Sequence, residues 1–493
     1  MKNIPALRIH KANDADVNPR GTFILYWMIA TRRTEWNYAL EHAVAWAKEL
    51  DRPLVILEAL RSGYPWASDR LHRFILDGMA DNSKRLKNRA VTYYPYVEPK
   101  PGAGKGLLSA FARHACIIVT DDFPAFFLPR MVSSLSPRLQ VKLEKIDSNG
   151  VLPMRATDRV FPTAYAFRRF LQKNLPDHLV QRPEVDPLKD AGLRKLRSLP
   201  KEITQKWPKA SEKILKGDPA FLRSLPIDHD VGVVETRGGS VQAQKKLHEF
   251  LEDRLPAYSE KRNQPEEEVT SGLSPYLHFG HLSVHEIFHE LMEYEDWFFD
   301  RLSPRTNGSR SGWWGMNEPA EAFLDELITW RELGFNMCWQ QSDYDRYGSL
   351  PDWALATLDL HKADERPYLY SLEEFEKAET HDPIWNAAQM QLLSEGRIHN
   401  YLRMLWGKKI LHWSSGPEQA LRIMVELNNK YALDGRDPNS YSGIFWVLGR
   451  YDRAWGPERP VFGKIRYMSS KNTARKVRVK DYIKKYGKRL NQK

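Results

Sequence analysis

Cysteine is nearly absent from this chain of 493 residues, in which Cys116 and Cys338 are the only two. Two cysteines cannot build the disulfide framework of a small secreted domain or a four-cysteine metal site, so we expect a reducing compartment. No apolar run approaches the roughly 18 residues that a membrane-spanning helix requires, and residues 1–20 lack the apolar core of a secretory signal. We therefore expect a soluble cytoplasmic protein without a membrane partner, located with the nucleoid if its source is prokaryotic.

The composition is that of a packed globular protein with a basic excess. Hydrophobic residues make up 42% and charged residues 28% of the chain. Lys and Arg number 74 against 63 Asp and Glu, a formal net charge of +11. This excess suggests a polyanionic partner, because cations that neutralise phosphates release counterions. The C-terminal stretch concentrates the excess around one acid, Asp481, although a solvated tail would have the same composition; its basic residues are Lys464, Arg466, Lys471, Arg475, Lys476, Arg478, Lys480, Lys484, Lys485, Lys488, Arg489 and Lys493.

The N-terminal part has the pattern of an α/β domain. Residues 22–28 and 53–60 are predicted buried strands, and residues 36–50 between them have the period of an amphipathic helix. A third strand is predicted at residues 115–120, closed by Asp121 and Asp122. These elements predict an open parallel, Rossmann-like sheet in a domain at residues 21–160, preceded by an N-terminal segment at residues 1–20.

The C-terminal part is predicted to be all-α. Residues 161–239 are expected to form an interdomain linker, because scattered prolines, Lys-rich stretches and Gly238-Gly239 interrupt any regular period. From residue 240 to residue 493 nearly every segment has helical period, so we expect one helical domain there. Its helices are predicted at residues 241–253, 284–293, 320–333, 384–396, 398–413 and 417–431.

Two motifs suggest other chemistry. Residues 101–106 (PGAGKG) resemble part of a phosphate-binding loop, but the first Gly of that motif is missing and Gly106 stands where a Ser or Thr should bind Mg²⁺. Residues 285–289 (HEIFH) match the HExxH pattern, in which His285 and His289 would bind zinc and Glu286 would be the general base. The continuation typical of metzincins is absent, so an ordinary polar helix face is the stronger interpretation. A zinc peptidase stays open as an alternative.

A second group of motifs indicates a nucleotide-like ligand. Residues 270–280 (TSGLSPYLHFG) place hydroxyl groups and a Gly just before a predicted helix, where free N–H groups could hold a pyrophosphate. Glu326 and Trp330 lie four residues apart, hence on one helix face, where a carboxyl and an indole could hold one flat heterocycle. Taken alone, the first pattern is weak, because Ser-Pro before a helix is also a common cap, and a surface Glu beside a core Trp is the favoured interpretation of the second.

These motifs, with residues 385–390 (WNAAQM), 396–406 (GRIHNYLRMLW), 433–439 (LDGRDPN) and Trp413, resemble the photolyase/cryptochrome superfamily. The resemblance is strongest to class II cyclobutane pyrimidine dimer photolyases, and it extends in consistent order from about residue 258 to residue 467. It implies an α/β antenna domain joined by a long linker to an all-α domain that binds FAD. It also implies a second antenna chromophore as a candidate cofactor, whose identity the sequence does not give.

The resemblance assigns candidate residues to the flavin. Arg403 and Asp434 resemble the ion pair beside the isoalloxazine ring, and Asn428 resembles the residue that faces flavin N5. An amide at that position would accept a hydrogen bond without adding negative charge near the anionic reduced flavin. The full set of implied FAD-binding residues is Tyr258, Thr270, Ser271, Gly272, Leu273, Ser274, Arg403, Asn428, Asp434 and Asp437.

The resemblance also assigns a substrate pocket and DNA contacts. Flat indoles would give a flipped pyrimidine dimer a sequence-independent apolar cradle, and Glu326 would hydrogen-bond the dimer carbonyl. The implied catalytic residues are Glu326, Trp330, Met404, Asn428 and Trp446. The implied DNA contacts are Arg262, Asn263, Glu326, Trp330 and Trp446, and we add Lys464 and Arg466 as phosphate contacts.

Three tryptophans, Trp385, Trp406 and Trp413, correspond by resemblance to the electron-transfer tryptophans of class II enzymes. Trp406 and Trp413 are seven residues apart, so on one helix they would share a face about 10 Å apart. Indoles at that spacing could relay an electron, although core packing alone would also account for three buried aromatic residues.

The sequence therefore predicts a light-driven DNA repair enzyme that uses reduced FAD, acts on cyclobutane pyrimidine dimers and works as a monomer without a bound metal. A cryptochrome-like photoreceptor that signals is the main alternative. Glu326 with Trp330 and Trp446, and the lack of a cryptochrome-like tail after the basic stretch, argue against it.

Overall fold

The computed structural model describes residues 4–487 of the chain, so the predicted basic residues Lys488, Arg489 and Lys493 lie outside the described part. The chain forms two compact units. The first unit comprises the described residues of Met1–Asp158, Asn174–His248 and Gly272–Tyr294. The second comprises those of Arg159–Lys173, Glu249–Ser271 and Glu295–Lys493. The domain boundaries predicted at residues 20, 160 and 239 stay a prediction.

The first unit contains a sheet of six strands in the order β1-β6-β5-β2-β3-β4. All neighbouring strands are parallel except β1, which pairs antiparallel with β6 at the edge. The predicted open parallel sheet is confirmed, and the antiparallel edge strand is an addition that its short, largely exposed sequence does not signal. The strands are β1 (Ile9–Lys11), β2 (Phe23–Met28), β3 (Leu54–Leu60), β4 (Val91–Val97), β5 (Ala115–Asp121) and β6 (Leu143–Ile146).

Asp121, the last residue of β5, binds the backbone that follows the neighbouring strand β2. Its carboxylate accepts hydrogen bonds from the backbone N–H groups of Ile29, Ala30 and Thr31 at 2.8, 2.8 and 2.9 Å, and from the hydroxyl of Tyr26 at 2.8 Å. Successive N–H groups of this kind form an anion-binding concavity at the end of a parallel strand. Here the protein's own carboxylate fills it.

Helices make up most of the remaining chain. In chain order they are α1 (Tyr38–Glu49), α2 (Asp69–Leu86), α3 (Leu107–Ala112), α4 (Leu128–Leu135), α5 (Ala164–Asn174), α6 (Pro176–Leu179), α7 (Lys201–Lys206), α8 (Glu212–Leu215), α9 (Pro219–Ser224), α10 (Ser240–Glu249), α11 (Tyr258–Lys261) and α12 (Ser274–His278). They continue with α13 (Val284–Tyr294), α14 (Glu318–Leu324), α15 (Arg331–Gln340), α16 (Asp352–Leu360), α17 (Leu372–Glu376), α18 (Pro383–Glu395), α19 (Asn400–Trp413), α20 (Pro417–Tyr431), α21 (Pro438–Val447), α22 (Ser470–Lys476) and α23 (Lys480–Gly487). The predicted fold class, an α/β sheet region and a helical remainder, is confirmed.

Two of the predicted helices are interrupted by π-helical turns. The segment Phe250–Arg254 follows α10, and the segment Asp325–Trp330 joins α14 to α15. A π turn carries i→i+5 hydrogen bonds and is found mostly as a short bulge at functional sites. The second bulge contains both Glu326 and Trp330, so the simple α-helical spacing predicted for this pair is replaced by a wider turn.

Candidate active site

Three buried tryptophans of the second unit form one continuous aromatic stack. The ring centroids of Trp385 and Trp406 lie 6.4 Å apart with an interplanar angle of 4°, and those of Trp385 and Trp413 lie 6.2 Å apart at 68°. All three side chains are almost completely buried. Trp385 on α18 therefore lies between the two tryptophans of α19, instead of the two α19 residues forming the direct pair that their spacing predicts.

Hydrogen bonds fix both indoles of the stacked pair. The Nε1 of Trp385 donates to the backbone oxygen of Trp406 at 3.0 Å, and the Nε1 of Trp406 donates to Oε1 of Gln389 at 2.9 Å. Asp382 caps α18 by accepting from the N–H groups of Ile384 and Trp385. Because both indole N–H groups are satisfied by neutral acceptors, the rings are held without an adjacent proton acceptor of high basicity.

Further aromatic side chains extend this stack toward the surface. Tyr370 lies 5.7 Å from Trp413, and its hydroxyl lies 2.7 Å from Nδ1 of His381. Tyr368 stacks on His381 with 3.8 Å between ring centroids and is 48% exposed. The aromatic column thus reaches from the buried interior of the second unit to solvent.

Glu326 is paired with Arg262. The guanidinium Nη1 of Arg262 donates to Oε1 of Glu326 at 2.9 Å, and its Cζ lies 5.5 Å from the ring centroid of Tyr258. Although Glu326 keeps 36% of its side-chain surface exposed, loss of hydration raises its pKa above the ordinary value, while Arg262 works against that rise. The structure therefore brings together three predicted residues, and the predicted DNA contact Asn263 follows Arg262 in an exposed position.

The π bulge that carries Glu326 is anchored by a buried ion pair. Arg168 on α5 donates to both oxygens of Asp325 at 2.8 and 3.0 Å, and both residues are buried. Such bidentate pairs add geometric specificity to their energy. Arg168 thus holds the residue just before Glu326, and a sequence-local motif gives no sign of this long-range partner.

Arg403 and Asp434 form the predicted ion pair. The Nη2 of Arg403 lies 3.0 Å from Oδ1 of Asp434, and two further contacts are 3.4 Å long. The Nε of Arg403 is a buried donor that has no hydrogen-bond acceptor among residues 4–487. The loop that bears Asp434 is fixed by Arg436, whose side chain donates to backbone oxygens of Asn429, Ala432 and Leu433.

Asn428 and Asp437 lie on either side of this loop. Asn428 is buried on α20, and its Nδ2 donates to the hydroxyl of Ser440 at 2.7 Å. Asp437 caps α21 by accepting from the N–H of Asn439 at 2.9 Å. With its amide nitrogen held by Ser440, Asn428 has a fixed orientation at the junction of α20 and α21.

Trp446 on α21 is flanked by two cationic side chains. Lys408 lies 4.8 Å from its ring centroid and Arg466 lies 5.5 Å from it. Arg466 also stacks 4.1 Å from the ring of Trp455 and donates to both oxygens of Asp452 at 2.8 and 3.0 Å. Arg466, predicted as a phosphate contact, is thus committed to an intramolecular ion pair.

The other predicted residues are placed as follows. Trp330 and Met404 are half-buried, as Trp446 is. Lys464 contacts Glu458 at 3.3 Å with about half of its side chain exposed. Of the predicted phosphate-binding stretch, Thr270 and Ser271 belong to the second unit, and Gly272, Leu273 and Ser274 belong to the first.

Within that stretch, Gly272 has a φ of +69°, a left-handed conformation that favours glycine. Helix α12 begins at Ser274, as the pattern predicts, but it has only five residues. The dipole of so short a helix gives little support for phosphate binding.

The HEIFH motif is part of the packed interior of the first unit. Burial lowers the pKa of His285, which packs edge-on against Tyr38, and Glu286 accepts a hydrogen bond from Gln244 at 2.8 Å. His289 lies 2.9 Å from Arg182, a cation that opposes metal binding. No group of three or more potential metal-binding side chains occurs in the described part of the chain, and the zinc peptidase alternative is not favoured. Nor does any described helix have the length and apolarity needed to span a bilayer.

Several residues of the site were not predicted from the sequence. Gln389, Arg436 and Lys408 lie inside or directly beside the quoted motifs, so their position was a usable signal. Ser440 directly follows the motif at residues 433–439, whereas Arg168 gave no such signal, because its partner is brought near only by the fold.

Comparison with known proteins identifies the family. The chain is 34% identical over 481 residues to a deoxyribodipyrimidine photo-lyase of Methanothermobacter thermautotrophicus, covering 97% of this chain and 98% of that protein. It is 33% identical to the enzyme of the same name from Arabidopsis thaliana, with 93% and 88% covered, and 32% identical to that of Potorous tridactylus, with 96% and 83% covered. No protein-family model matches the chain.

Solved structures show the same fold. A class III photolyase from Agrobacterium tumefaciens superposes with a TM-score of 0.67 at 16% identity over 94% of this chain and 86% of that chain. A Synechocystis cryptochrome superposes with a TM-score of 0.64 at 14% identity, covering 99% and 89%. The fold is that of the photolyase/cryptochrome superfamily. Within it, the chain belongs to the deoxyribodipyrimidine photo-lyase family, as the resemblance predicted.

Proposed function

We propose that this protein repairs cyclobutane pyrimidine dimers in DNA with light, as a class II photolyase that binds FAD. The observation that carries the proposal is the identity of 34% over nearly the full length to an enzyme named deoxyribodipyrimidine photo-lyase. The basic net charge of +11 is in keeping with a DNA substrate. We expect the protein to act as a monomer.

The side chains of the second unit fit the isoalloxazine end of a flavin. The buried Nε of Arg403 is a hydrogen-bond donor still without an acceptor in the described chain, and a flavin supplies acceptors in its ring carbonyls and nitrogens. Arg403, Asp434 and Asn428 would hold the ring, and Tyr258 with Thr270 and Ser271 would hold the phosphates and ribityl chain. When bound in its reduced state, FAD supplies the light-driven electron that splits the dimer and then recovers it.

Glu326 acts on the dimer in this proposal. Its raised pKa makes the carboxyl easier to protonate, and once protonated it would donate a hydrogen bond to a dimer carbonyl and stabilise the negative charge that appears there. Arg262, 2.9 Å from the same carboxyl, orients it and adds positive charge beside the flipped nucleotides. Trp330, Met404 and Trp446 provide the apolar cradle that replaces the lost base stacking.

The tryptophan stack acts in a different step. Trp406, Trp385 and Trp413 are packed at centroid distances of 6.2 and 6.4 Å, so an electron can pass inward by short hops to reduce an oxidised flavin. This route activates the protein and does not carry the repair electron. We expect a second antenna chromophore, of a type still to be identified, to be bound outside this route.

Illumination of the reduced protein with dimer-containing DNA tests the proposal. Repair in blue or near-ultraviolet light, absent in the dark, is the expected result. A cryptochrome-like photoreceptor would bind flavin and become photoreduced but would leave the dimers intact.

A further inference from the structure

Two consecutive lysines of α19 contact two different tryptophans. The Nζ of Lys408 lies 4.8 Å from the ring centroid of Trp446, and the Nζ of Lys409 lies 4.9 Å from that of Trp413. Both distances are within the range of cation–π attraction. Because neighbouring residues of an α-helix project about 100° apart, one short stretch of helix supplies a cation to each ring.

Lys408 is sealed between α19 and α21. Its side chain is 0% exposed, and its Nζ donates to the backbone oxygen of Val447 at 2.6 Å. The two helices approach closely at Gly407, where a Cβ would lie 2.5 Å from Cγ2 of Val447. Burying an ammonium group is costly unless it is held by compensating partners, so simple packing would favour an apolar residue here.

The charged side chains near Lys408 are those of Asp452 and Arg466, which follow α21 in the chain. Burial lowers the pKa of Lys408 to about 7, attraction to Asp452 raises it, and repulsion from Arg466 lowers it again. The ring centroid of Trp446 lies 4.8 Å from Nζ of Lys408 and 5.5 Å from Cζ of Arg466. Only Arg466 has a carboxylate partner at hydrogen-bond distance, in Asp452.

Lys409 has a different environment. Its Nζ lies 3.8 Å from Oδ2 of Asp382, the residue that caps α18 next to Trp385. His381 and His412 also lie near; burial lowers the pKa of both, and the charge of Lys409 lowers it further. The cation at Trp413 is thus part of a small cluster in which burial lowers the pKa of Lys409 and the carboxylate of Asp382 raises it.

We propose that Lys408 and Lys409 are positioning residues with separate tasks: Lys408 orients Trp446 for recognition of the dimer, and Lys409 sets how readily Trp413 gives up an electron. This inference rests on the function proposed above, which assigns Trp446 to the dimer and Trp413 to the electron relay.

For Lys408, the consequence concerns DNA binding in the dark. A half-buried indole on the last turn of α21 can change its orientation, and attraction to a fixed cation restricts it. Without that cation, Trp446 would present its flat face to the dimer in only part of the population. Affinity for intact DNA depends on exposed phosphate contacts and would not change.

For Lys409, the consequence concerns electron transfer. After Trp385 has been oxidised, one electron leaves Trp413 for Trp385, which restores Trp385 and leaves Trp413 as a radical cation. A thiol reductant in solution then returns one electron to Trp413. A neighbouring ammonium disfavours the positive charge on Trp413, so Lys409 limits how long the charge stays there.

The test uses Lys408→Met and Lys409→Met in the full-length flavin-containing protein. Each variant is the control for the other, because both remove one positive charge from adjacent positions of the same helix. Binding of a dimer-containing and an intact oligonucleotide is measured in the dark. Photoreduction of oxidised flavin is measured separately by absorbance, with dithiothreitol as the reductant.

We expect each variant to change one of the two readouts and to leave the other unchanged. Lys408→Met should lower the preference for damaged over intact DNA by about threefold to thirtyfold, the range from an exposed to a desolvated cation–π contact, and leave photoreduction unchanged. Lys409→Met should leave the preference unchanged and raise the yield of photoreduced flavin severalfold, because the ammonium 4.9 Å from the ring of Trp413 no longer opposes a positive charge there. Equal effects of both variants on both readouts, or no effect of either, would overturn the inference.

A pH series provides a second measurement if Lys408→Met folds poorly. In a Glu326→Gln background, which removes the titration of that carboxyl, the dark preference should fall as pH rises through about 7 and Lys408 loses its proton. A flat profile would overturn the role of Lys408. Failure of the proposed function looks different, since the unmodified protein would then show neither damage preference nor repair.

Discussion

The indoles of Trp385 and Trp406 are stacked almost parallel, at 4° and 6.4 Å between centroids, although they belong to different helices. Trp406 is in turn held by Gln389 on the same helix as Trp385. A single electron route thus runs across the packing of α18 on α19 and does not follow one helix.

Replacing either member of this pair should interrupt photoreduction. Trp406→Phe and Trp385→Phe should each lower the rate of light-driven flavin reduction with an external thiol by at least about tenfold, because one hop becomes much longer. Chemically reduced protein should still repair dimers. Trp297→Phe, a buried tryptophan outside the stack, is the matched control, and unchanged photoreduction in both relay variants would leave them as core residues.

Glu326→Gln should separate binding from repair. The amide is nearly isosteric, so flavin content and dark DNA binding should persist, while the repair yield per absorbed photon should fall severalfold. Because the pKa of Glu326 is raised, the protonated form is lost as pH rises through that value, and the yield of the unmodified protein should decline in the same direction. A variant with unaltered yield and pH profile would disprove this role; loss of flavin on purification would reassign Glu326 to the cofactor site.

Arg403 should be needed to retain the flavin. Arg403→Met removes the buried Nε donor and the ion pair of Arg403 with Asp434, so the purified variant should contain much less flavin than the parent. Arg397→Met is a suitable control, because the side chain of Arg397 pairs with Glu395 and Glu268 and not with Asp434. Equal flavin content in the two variants would contradict the assignment.

Substitutions of Lys464 and of Arg466 should have different effects on DNA binding. Lys464→Ala should flatten the salt dependence of duplex binding by up to about 0.9 in log K against log salt, the value for one neutralised phosphate. Arg466→Ala should instead reduce damage preference, because Arg466 is stacked between Trp446 and Trp455 and paired with Asp452. If the Arg466 variant changed only the salt slope, its intramolecular contacts would be irrelevant to recognition.

Lys408 should also affect stability in a pH-dependent way. Its pKa is lowered to about 7 in the folded protein and is near 10.5 when unfolded, so the unfolded chain binds more protons between these values. The free energy of unfolding should therefore increase, through the titration of Lys408, as pH rises from 7 to 10. Lys408→Met should be more stable than the parent at pH 6, and urea unfolding should show that advantage shrinking at pH 9.

Much of the fold was predictable because its signals are local. The buried runs that became β2, β3 and β5 and the periodic segments that became α18 to α20 needed only short-range pattern, and α20 begins and ends at the predicted residues. The edge strand β1 was missed because three partly exposed residues have no apolar pattern. The π bulge at Glu326 was missed because its six residues are too few to alter the periodic pattern of the helices on either side.

The site was predictable only in part. Residue types at motif positions indicated Arg403 with Asp434 and the three tryptophans, but their order in space depends on how α18 packs on α19. The ion pair of Arg168 with Asp325 joins residues 157 positions apart, and the commitment of Arg466 to Asp452 changes its expected role. Such partners are set by tertiary packing, which no local pattern contains.

Counting dimers repaired per protein molecule tests the central claim most directly. The chemically reduced protein is illuminated anaerobically with an excess of dimer-containing DNA and no added reductant, and restored pyrimidines are quantified. Because the electron returns after each splitting, we predict many repaired dimers per flavin, with none in the dark. Repair that stops at one dimer per flavin, or that proceeds equally without light, would contradict a light-driven cycle with no net redox change.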